Sequence, residues 1–151
     1  MKKNKKSFVL CLFVLFLLIS CSTSISSTPE WTTPTKGDLI GIWVAEFYSN
    51  GAHDTNTIFV GSNYSGYLQM EEDYSETSQE YQNQIPTIVT YLENSGYSCT
   101  NNSSEKQLTA ILNFSSSDLD LFISETQMKI NSSKNRIKVT SSGNTAEYVK
   151  Q

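Results

Sequence analysis

The pattern of apolar and polar positions divides the chain into two unequal parts. An unbroken apolar run extends from Phe8 to Ile19, and from residue 37 onward apolar and polar side chains alternate with a period of two. Such alternation is typical of β-strands with one buried face, because successive side chains of a strand point to opposite faces. The pattern therefore predicts a short apolar N-terminal segment followed by a β-rich domain.

The alternation is clearest in three segments, residues 108–114, 118–123 and 135–140. Further strands are predicted at 39–48, 57–61, 66–71, 87–93, 97–100, 127–130 and 145–150. The polar segment 71–86 fits either a short helix with Tyr74 and Tyr81 on similar faces or a long solvated loop, and the loop is preferred. No segment shows a convincing amphipathic helix. Eight to ten short strands separated by turn signals predict an all-β domain, either a small antiparallel up-and-down barrel or, as the alternative, a β-sandwich.

The N-terminal run is too short to span a membrane comfortably. Twelve residues form a helix of about 18 Å, whereas the hydrocarbon core is about 30 Å thick. Four lysines precede the run, and the small residue Ser20 follows it. A basic segment, an apolar segment of this length and a small residue at the break are the features of a secretory signal peptide, predicted here to form an N-terminal signal helix over residues 1–20.

The residues at the break, Leu18-Ile19-Ser20-Cys21, resemble the lipobox of bacterial lipoproteins. The resemblance implies cleavage between Ser20 and Cys21, a diacylglycerol on the thiol of Cys21, and acylation of its new amino group by a fatty acid such as palmitate. Two or three acyl chains hold a protein stably at a membrane. The expected location is the bacterial cell envelope, with the outer membrane favoured because no Asp follows the cysteine.

Residues 21–36 are predicted to be a disordered tether. Nine of these sixteen residues are Ser or Thr and two are Pro, a composition that cannot bury enough apolar surface to fold. Trp31 lies within the tether, and three positions are open for its side chain: at the lipid interface, on a partner, or folded back onto the end of the domain. The folded domain is assigned to residues 37–151.

The charge of the chain after removal of residues 1–20 excludes one class of partner. Seven basic residues then face fifteen acidic ones, a formal net charge of −8. Because binding to a phosphate backbone needs a basic patch, nucleic acid is not expected as a partner. After cleavage at Cys21 and its lipidation, Cys99 is the one cysteine left with a free thiol, so no intramolecular disulfide is expected. Cys99 is interpreted as a small residue packed beside the sheet, in preference to a reactive thiol or an intermolecular bridge.

Gly41-Ile42-Trp43 resembles the G-x-W signature of the lipocalins and lipocalin-like domains. In that family the motif opens the first strand of an eight-stranded barrel, the Trp packs across the closed end, and a basic side chain from the last strands lies over it. The resemblance covers residues 38–150 and implies a lipocalin-like barrel, with Arg136 or Lys150 as the basic residue. The family's usual disulfide and C-terminal helix have no counterpart here.

No group of residues in the sequence passes as a catalytic or metal site. His53 and Asp54 are adjacent, but neighbours in sequence rarely converge, and His53 is interpreted as a solvated turn residue. The acidic run Glu71–Asp73 is interpreted as part of a loop, and Asp118 with Asp120 as the solvated face of a strand opposite Arg136 and Lys138. No enzyme activity, cofactor or metal is expected.

Two functions remain open for a lipid-anchored envelope protein. In the first, the barrel binds a small apolar ligand, lined by Tyr91, Leu108, Ala110, Leu112 and Leu121. In the second, the protein is an envelope or surface interaction protein with a packed interior and an exposed aromatic patch. The first predicts a hollow interior and the second a filled one.

Overall fold

Nine antiparallel strands form one open sheet in the computed structural model, which describes residues 30–151. The strands are β1 (Trp31–Thr32), β2 (Gly41–Ser49), β3 (Ala52–Val60), β4 (Gly66–Asp73), β5 (Ser98–Asn102), β6 (Gln107–Phe114), β7 (Lys129–Asn131), β8 (Arg136–Ser141) and β9 (Asn144–Lys150). Their order in the sheet is β1-β7-β8-β9-β2-β3-β4-β6-β5. Two α-helices, α1 (Gln79–Asn94) and α2 (Ser116–Glu125), and a 3-10 turn (Lys36–Leu39) complete the described chain.

The prediction of a mostly β, antiparallel domain is confirmed, but the closed up-and-down barrel is wrong, and so is the sandwich. The sheet ends at β1 on one side and β5 on the other, and these two strands do not pair. A single sheet can stay open here because both helices place buried side chains in the same core as one face of the sheet; they are Ile85, Leu92, Leu119 and Phe122. The helices thus cover the apolar face of the sheet, which in a closed barrel would be covered by the opposite strands.

Helix α1 lies where the sequence analysis predicted a loop followed by a strand over residues 71–93. The Ser78 side chain accepts a hydrogen bond from the backbone N–H of Tyr81 and so caps the helix. Ile85 and Leu92 are buried, and Tyr81, Ile88 and Val89 are partly buried, a helical spacing that forms one apolar stripe. The polar residues between them are solvated, which is why the segment resembles a loop in sequence.

Helix α2 replaces the strand predicted over residues 118–123. Ser115 and Asp118 form a capping box, in which each side chain bonds to the backbone N–H of the other. Leu119 and Phe122, three residues apart, are buried. Asp118 is therefore a capping residue rather than part of a strand face, and Asp120 forms an ion pair with Lys36 at 2.9 Å.

The G-x-W motif opens β2, the second strand of the open sheet in chain order. Trp43 is fully buried, and its indole N–H donates to the carbonyl oxygen of Leu39 at 2.7 Å. The Lys150 ammonium lies 5.0 Å from the centre of the Trp43 ring, whereas Arg136 pairs with Glu147 on the other face of the sheet. Gly41 has a φ of +132°, and a Cβ there would come within 2.9 Å of Lys150 Cε.

Part of the segment 21–36 that was assigned to a disordered tether is ordered in the described residues. Trp31 and Thr32 form β1, which pairs with β7, and the Lys138 ammonium lies 4.2 Å from the centre of the Trp31 ring. Trp31 thus packs on the end of the domain. The predicted signal peptide, Ser20 and Cys21 lie outside the described residues.

The two faces of the sheet are named here by what they contact. The inner face carries the side chains that pack with the helices, among them Trp43, Ile58, Leu68, Leu108, Ala110, Leu112, Ile137 and Val139. The outer face carries the alternate side chains, such as Ile42 and Phe59. The helices of residues 30–151 place their buried side chains in the core on the inner face, and none of them packs on the outer face.

Candidate functional site

Four polar side chains, termed the carboxyl cluster, lie on the inner face or against it: Asp54, Asn56, Glu72 and Tyr81. Asp54 of β3 stands directly opposite Glu72 of β4 in the register of the sheet. The side chains of Asp54, Glu72 and Asn56 are buried, with exposed fractions of 8%, 4% and 4%. Two carboxyl groups at directly opposed positions of antiparallel strands are close neighbours.

The period of two carries these polar residues into the interior. In β3, the buried positions are Ala52, Asp54, Asn56, Ile58 and Val60. Ile58 and Val60 must face the core, and because side chains alternate along a strand, Asn56 and Asp54 face the core as well. In β4, Leu68 and Met70 set the same phase for Glu72.

Hydrogen bonding within the carboxyl cluster is incomplete. The Tyr81 hydroxyl donates to Glu72 Oε1 at 2.5 Å. Asp54 Oδ1 and Asn56 Oδ1, by contrast, are buried and accept no hydrogen bond from the described residues. Buried polar atoms are nearly always hydrogen-bonded in native proteins, so two unpartnered acceptors in one cluster require an explanation.

Burial shifts the titration of these groups toward their neutral forms. Desolvation, together with the negative charge of Glu72, raises the pKa of Asp54 to about 7. Desolvation also raises the pKa of Glu72, opposed by the hydrogen bond from Tyr81, and both burial and Glu72 raise the pKa of the Tyr81 phenol. The pair therefore holds a proton near neutral pH unless a cation approaches it.

A pocket of about 420 Å³ lies beside the carboxyl cluster, between the β2–β3 turn and the start of α1. Tyr81 belongs to both, and Ala52, which lines the pocket, is two residues before Asp54 on the same face. Most of its lining residues have polar side chains, although they present more apolar than polar surface to the pocket: Ser49, Asn50, Ala52, Thr77, Ser78, Glu80, Tyr81 and Gln84. The pocket thus has hydrogen-bonding groups at its rim and an acidic group in Glu80.

The outer face carries a second candidate, a patch of apolar side chains across five neighbouring strands, termed the open patch. Its rows follow the register: Val44 lies opposite Val149, and Phe59 lies opposite Ile42 and Tyr67. The rings of Phe59 and Tyr67 are 5.2 Å apart. The open patch comprises Ile42, Val44, Phe59, Tyr67, Ile111 and Val149, all exposed or half-buried.

Polar and acidic side chains border the open patch on the same face. Glu46 and Glu71 are exposed, and Asp73 lies next to His53 in the register. Tyr48, 72% exposed, stacks on His53 with ring centres 4.3 Å apart. His53 is therefore a half-buried strand residue of the outer face, not a turn residue, and it diverges from Asp54, which points inward.

The residues predicted to line a ligand cavity are not brought together around the pocket. Leu108, Ala110 and Leu112 pack in the hydrophobic core, Tyr91 is exposed on α1, and Leu121 is half-buried on α2. None of the five lines the pocket beside the carboxyl cluster. Their role in ligand binding stays a prediction.

The sequence analysis missed the Asp54–Glu72 pair. It treated Glu71–Asp73 as a loop, whereas these residues end β4, so that Glu72 is buried between two outward-pointing acids. The alternation of Leu68 and Met70 was the signal for this burial, because it places Glu72 on the same inward-facing side of the strand. Pairing with Asp54, eighteen residues away, could be read only from the strand register.

Within residues 30–151, no three His, Cys, Asp or Glu side chains are grouped closely enough to hold a metal ion. No helix in this range has the length and apolarity needed to cross a membrane. No protein-family model matches the chain, and neither the curated proteins nor the solved structures yield a match.

Proposed function

We propose that the protein is a lipid-anchored cell-envelope protein that works by binding another protein on the open patch. The observation that carries this proposal is the outer face, which no helix of residues 30–151 covers and on which six apolar side chains occupy five neighbouring strands. Contiguous exposed apolar surface of this kind marks interaction sites in soluble domains. The packed inner face supports the interaction function over a ligand held among Leu108, Ala110 and Leu112.

The chemistry of the partner follows from the border of the open patch. Glu46, Glu71 and Asp73 lie on the same face as the apolar side chains. On the other side of the open patch Arg136 lies opposite Val149 but forms an ion pair with Glu147. The border beside β2 and β4 is therefore acidic, so a complementary surface is apolar with basic residues on that side. A second copy of this chain is a poor occupant, because the net charge of −8 after the predicted cleavage makes self-association repulsive. The proposed occupant is therefore a different envelope protein with a basic-rimmed apolar surface.

The proposed anchor restricts where this partner is met. Trp31 is ten positions after Cys21, and a chain segment of this length reaches at most about 35 Å when fully extended. The domain would then remain within a few tens of ångströms of the lipid surface, in the outer membrane if the bacterium has two membranes. The proposal is one of binding, without catalysis.

The anchor is tested by metabolic labelling with a radioactive fatty acid in the native bacterium. The wild-type chain is expected to carry label and to sediment with membranes, whereas Cys21→Ala is expected to lose both properties. Cys99→Ala is the matched control and should keep them. Label on the Cys21→Ala chain would contradict the assignment of the lipidated residue.

The open patch is tested by site-specific photo-crosslinking of the full chain in intact cells. A photoreactive residue in place of Tyr67 is expected to give one discrete adduct, and the same residue in place of Asn83, on the solvated side of α1, should give none. Glu71→Lys should lower the yield at position 67, while Glu93→Lys on α1 should not. Equal adducts at both positions, or a yield unaffected by Glu71→Lys, would contradict the proposed partner; an adduct with a second copy of the chain would also overturn it.

A further inference from the structure

The carboxyl cluster presents hydrogen-bond acceptors without matching donors. Glu72 has one donor, the Tyr81 hydroxyl, while Asp54 Oδ1 and Asn56 Oδ1 have none among the described residues. All three side chains are more than nine-tenths buried. A group that fills this site must therefore bring donors of its own and, since burying a carboxylate is costly without a counter-charge, a positive charge.

No basic side chain of the described chain supplies that charge. Burial and the charge of Glu72 raise the pKa of Asp54, and burial raises the pKa of Glu72 against the hydrogen bond from Tyr81. No Lys, Arg or His contributes to either shift. Six of the seven Lys and Arg residues in the described range have contacts elsewhere: Lys36 with Asp120, Lys129 with Thr33, Lys134 with Asp38, Arg136 with Glu147, Lys138 with Trp31 and Lys150 with Trp43. The seventh, Lys106, is not among the groups that shift the pKa of Asp54 or Glu72. The cluster is thus a buried acidic site whose charge, once Asp54 loses its proton, has no basic partner among the described residues.

We propose that the carboxyl cluster and the adjoining pocket bind a small organic amine, whose ammonium group is held by Asp54, Asn56 and Glu72. A primary ammonium has three N–H donors, which match the three acceptor side chains. A metal ion fits less well, because no third His, Cys, Asp or Glu joins the two carboxyl groups. This site lies on the inner face, and its existence does not depend on the partner proposed for the outer face.

The pocket provides the space for the rest of the ligand. Its volume of about 420 Å³ lies in the range of small-molecule sites. Polar side chains at the rim, Ser49, Asn50, Thr77 and Gln84, offer hydrogen bonds to a substituted amine, and Glu80 adds a second negative charge. Tyr81 joins pocket and cluster, so its side chain is the group that must shift to admit the ammonium.

Binding is expected to release a proton. The titratable groups that face Asp54 are Glu72 on β4 and Tyr81 on α1, with Glu80 at the pocket rim. Since burial raises the pKa of Asp54 to about 7, part of the population must lose that proton to solvent before it can pair with an ammonium. The affinity for an amine should therefore rise about tenfold between pH 6 and pH 8.

The test is isothermal titration calorimetry on the full chain in detergent, with n-butylamine and putrescine as probes. Saturable binding is expected for these amines, with proton release seen by comparing two non-amine buffers that differ in ionisation enthalpy. The neutral alcohol n-butanol, calcium chloride and guanidinium chloride should bind at least tenfold more weakly. Saturable binding of n-butanol or calcium in place of the amines would overturn the proposal, as would no saturable heat from millimolar amine.

The variants separate this site from the surrounding acidity. Asp54→Asn should weaken amine binding at least tenfold and abolish proton release, and Glu71→Gln, adjacent to Glu72 but on the outer face, should change neither. Gln84→Trp fills the pocket from its exposed rim without touching the cluster, and it should also weaken binding if the chain remains folded by circular dichroism. Unchanged affinity in both Asp54→Asn and Gln84→Trp would show that the amines bind elsewhere and would contradict the proposed site.

Discussion

Alternate residues of each strand enter two different environments on the two faces of the sheet. In β2, Trp43 is fully buried in the core, while Ile42 beside it is 42% exposed. In β4, Glu72 is 4% exposed, while Glu71 is solvated. The same strand therefore contributes both to the core and to the open patch, and the difference depends only on which face the helices cover.

The two faces also shift the pKa of an aspartate carboxyl in opposite directions. Burial raises the pKa of Asp54 on the inner face to about 7. On the outer face, hydrogen bonds from the side chain and backbone of Ser75 lower the pKa of Asp73. Desolvation dominates where the helices exclude water, and local hydrogen bonding dominates where they do not.

The largest difference between the faces is expected from truncating neighbouring residues of β2. Trp43→Ala should lower the free energy of unfolding by about 3–5 kcal/mol, because it leaves a large cavity and removes the indole N–H that donates to the carbonyl oxygen of Leu39. Ile42→Ala, the matched outer-face control, should cost less than about 1 kcal/mol. Urea unfolding of the detergent-solubilised chain measures both, and similar losses would contradict the assignment of the faces.

The pH dependence of stability should distinguish the inner carboxyl from the outer one. Asp54 titrates near 3.8 when unfolded and near 7 when folded, so the folded state binds the extra proton between these values and stability falls as pH rises from about 4 to 7. Three pKa units correspond to about 4 kcal/mol as an upper value. Below pH 4 this contribution is fully present, and above pH 7 it is lost.

Urea unfolding between pH 4 and pH 8 measures this fall. Asp54→Asn should remove most of it and should raise stability at pH 8 relative to the wild-type chain. Asp73→Asn should leave it in place, because hydrogen bonding lowers the pKa of Asp73 and its own contribution is lost only in more acidic solution. A wild-type chain whose stability rises from pH 4 to pH 7 would contradict the burial of an ionisable pair.

A smaller contrast is expected from removing one hydroxyl on each side of the sheet. Tyr81→Phe removes the donor to Glu72 and leaves a buried carboxyl oxygen unpartnered, at a cost of about 1–3 kcal/mol. Tyr67→Phe in the open patch should change the free energy of unfolding by less than about 0.5 kcal/mol. Thermal or urea unfolding at pH 7 compares the two variants, and equal effects would argue against the Tyr81–Glu72 bond.

The smallest effect is expected from the outer-face ion pair of Arg136 and Glu147. The atoms are 2.7 Å apart, but the side chains remain 54% and 35% exposed. A double-mutant cycle with Arg136→Gln and Glu147→Gln should give a coupling energy of about 0.2–1 kcal/mol that falls at high salt. A larger coupling that resists salt would mean that this part of the outer face is covered.

Several strands could be predicted from the sequence because the period of two survives in them. Segments 66–71, 108–114 and 145–150 agree closely with β4, β6 and β9. The helices could not be recognised from the same criterion. Residues 118–123 alternate as a strand would, yet they also place Leu119 and Phe122 three residues apart, and the capping box of Ser115 and Asp118 is the signal that favours a helix.

The candidate site was harder to predict than the elements that carry it. His53 and the acidic runs stand out in the sequence, but their chemistry depends on which face each side chain enters. Asp54 was discounted together with His53, although the two point to opposite faces of β3. Neither the cross-strand pairing with Glu72 nor the contribution of Tyr81 from α1 is encoded in local spacing.

The mostly β character of the domain can be predicted from the chain alone, because the alternation of apolar and polar residues follows directly from backbone geometry. The lipobox-like motif at Cys21 also stands in the sequence, and lipidation there stays a prediction. The open sheet, the covering of one face by helices, and the meeting of Asp54 with Glu72 without a basic partner among the described residues become visible only in the folded domain. These properties depend on contacts between residues distant in the chain, where register and burial, rather than local pattern, set the energy.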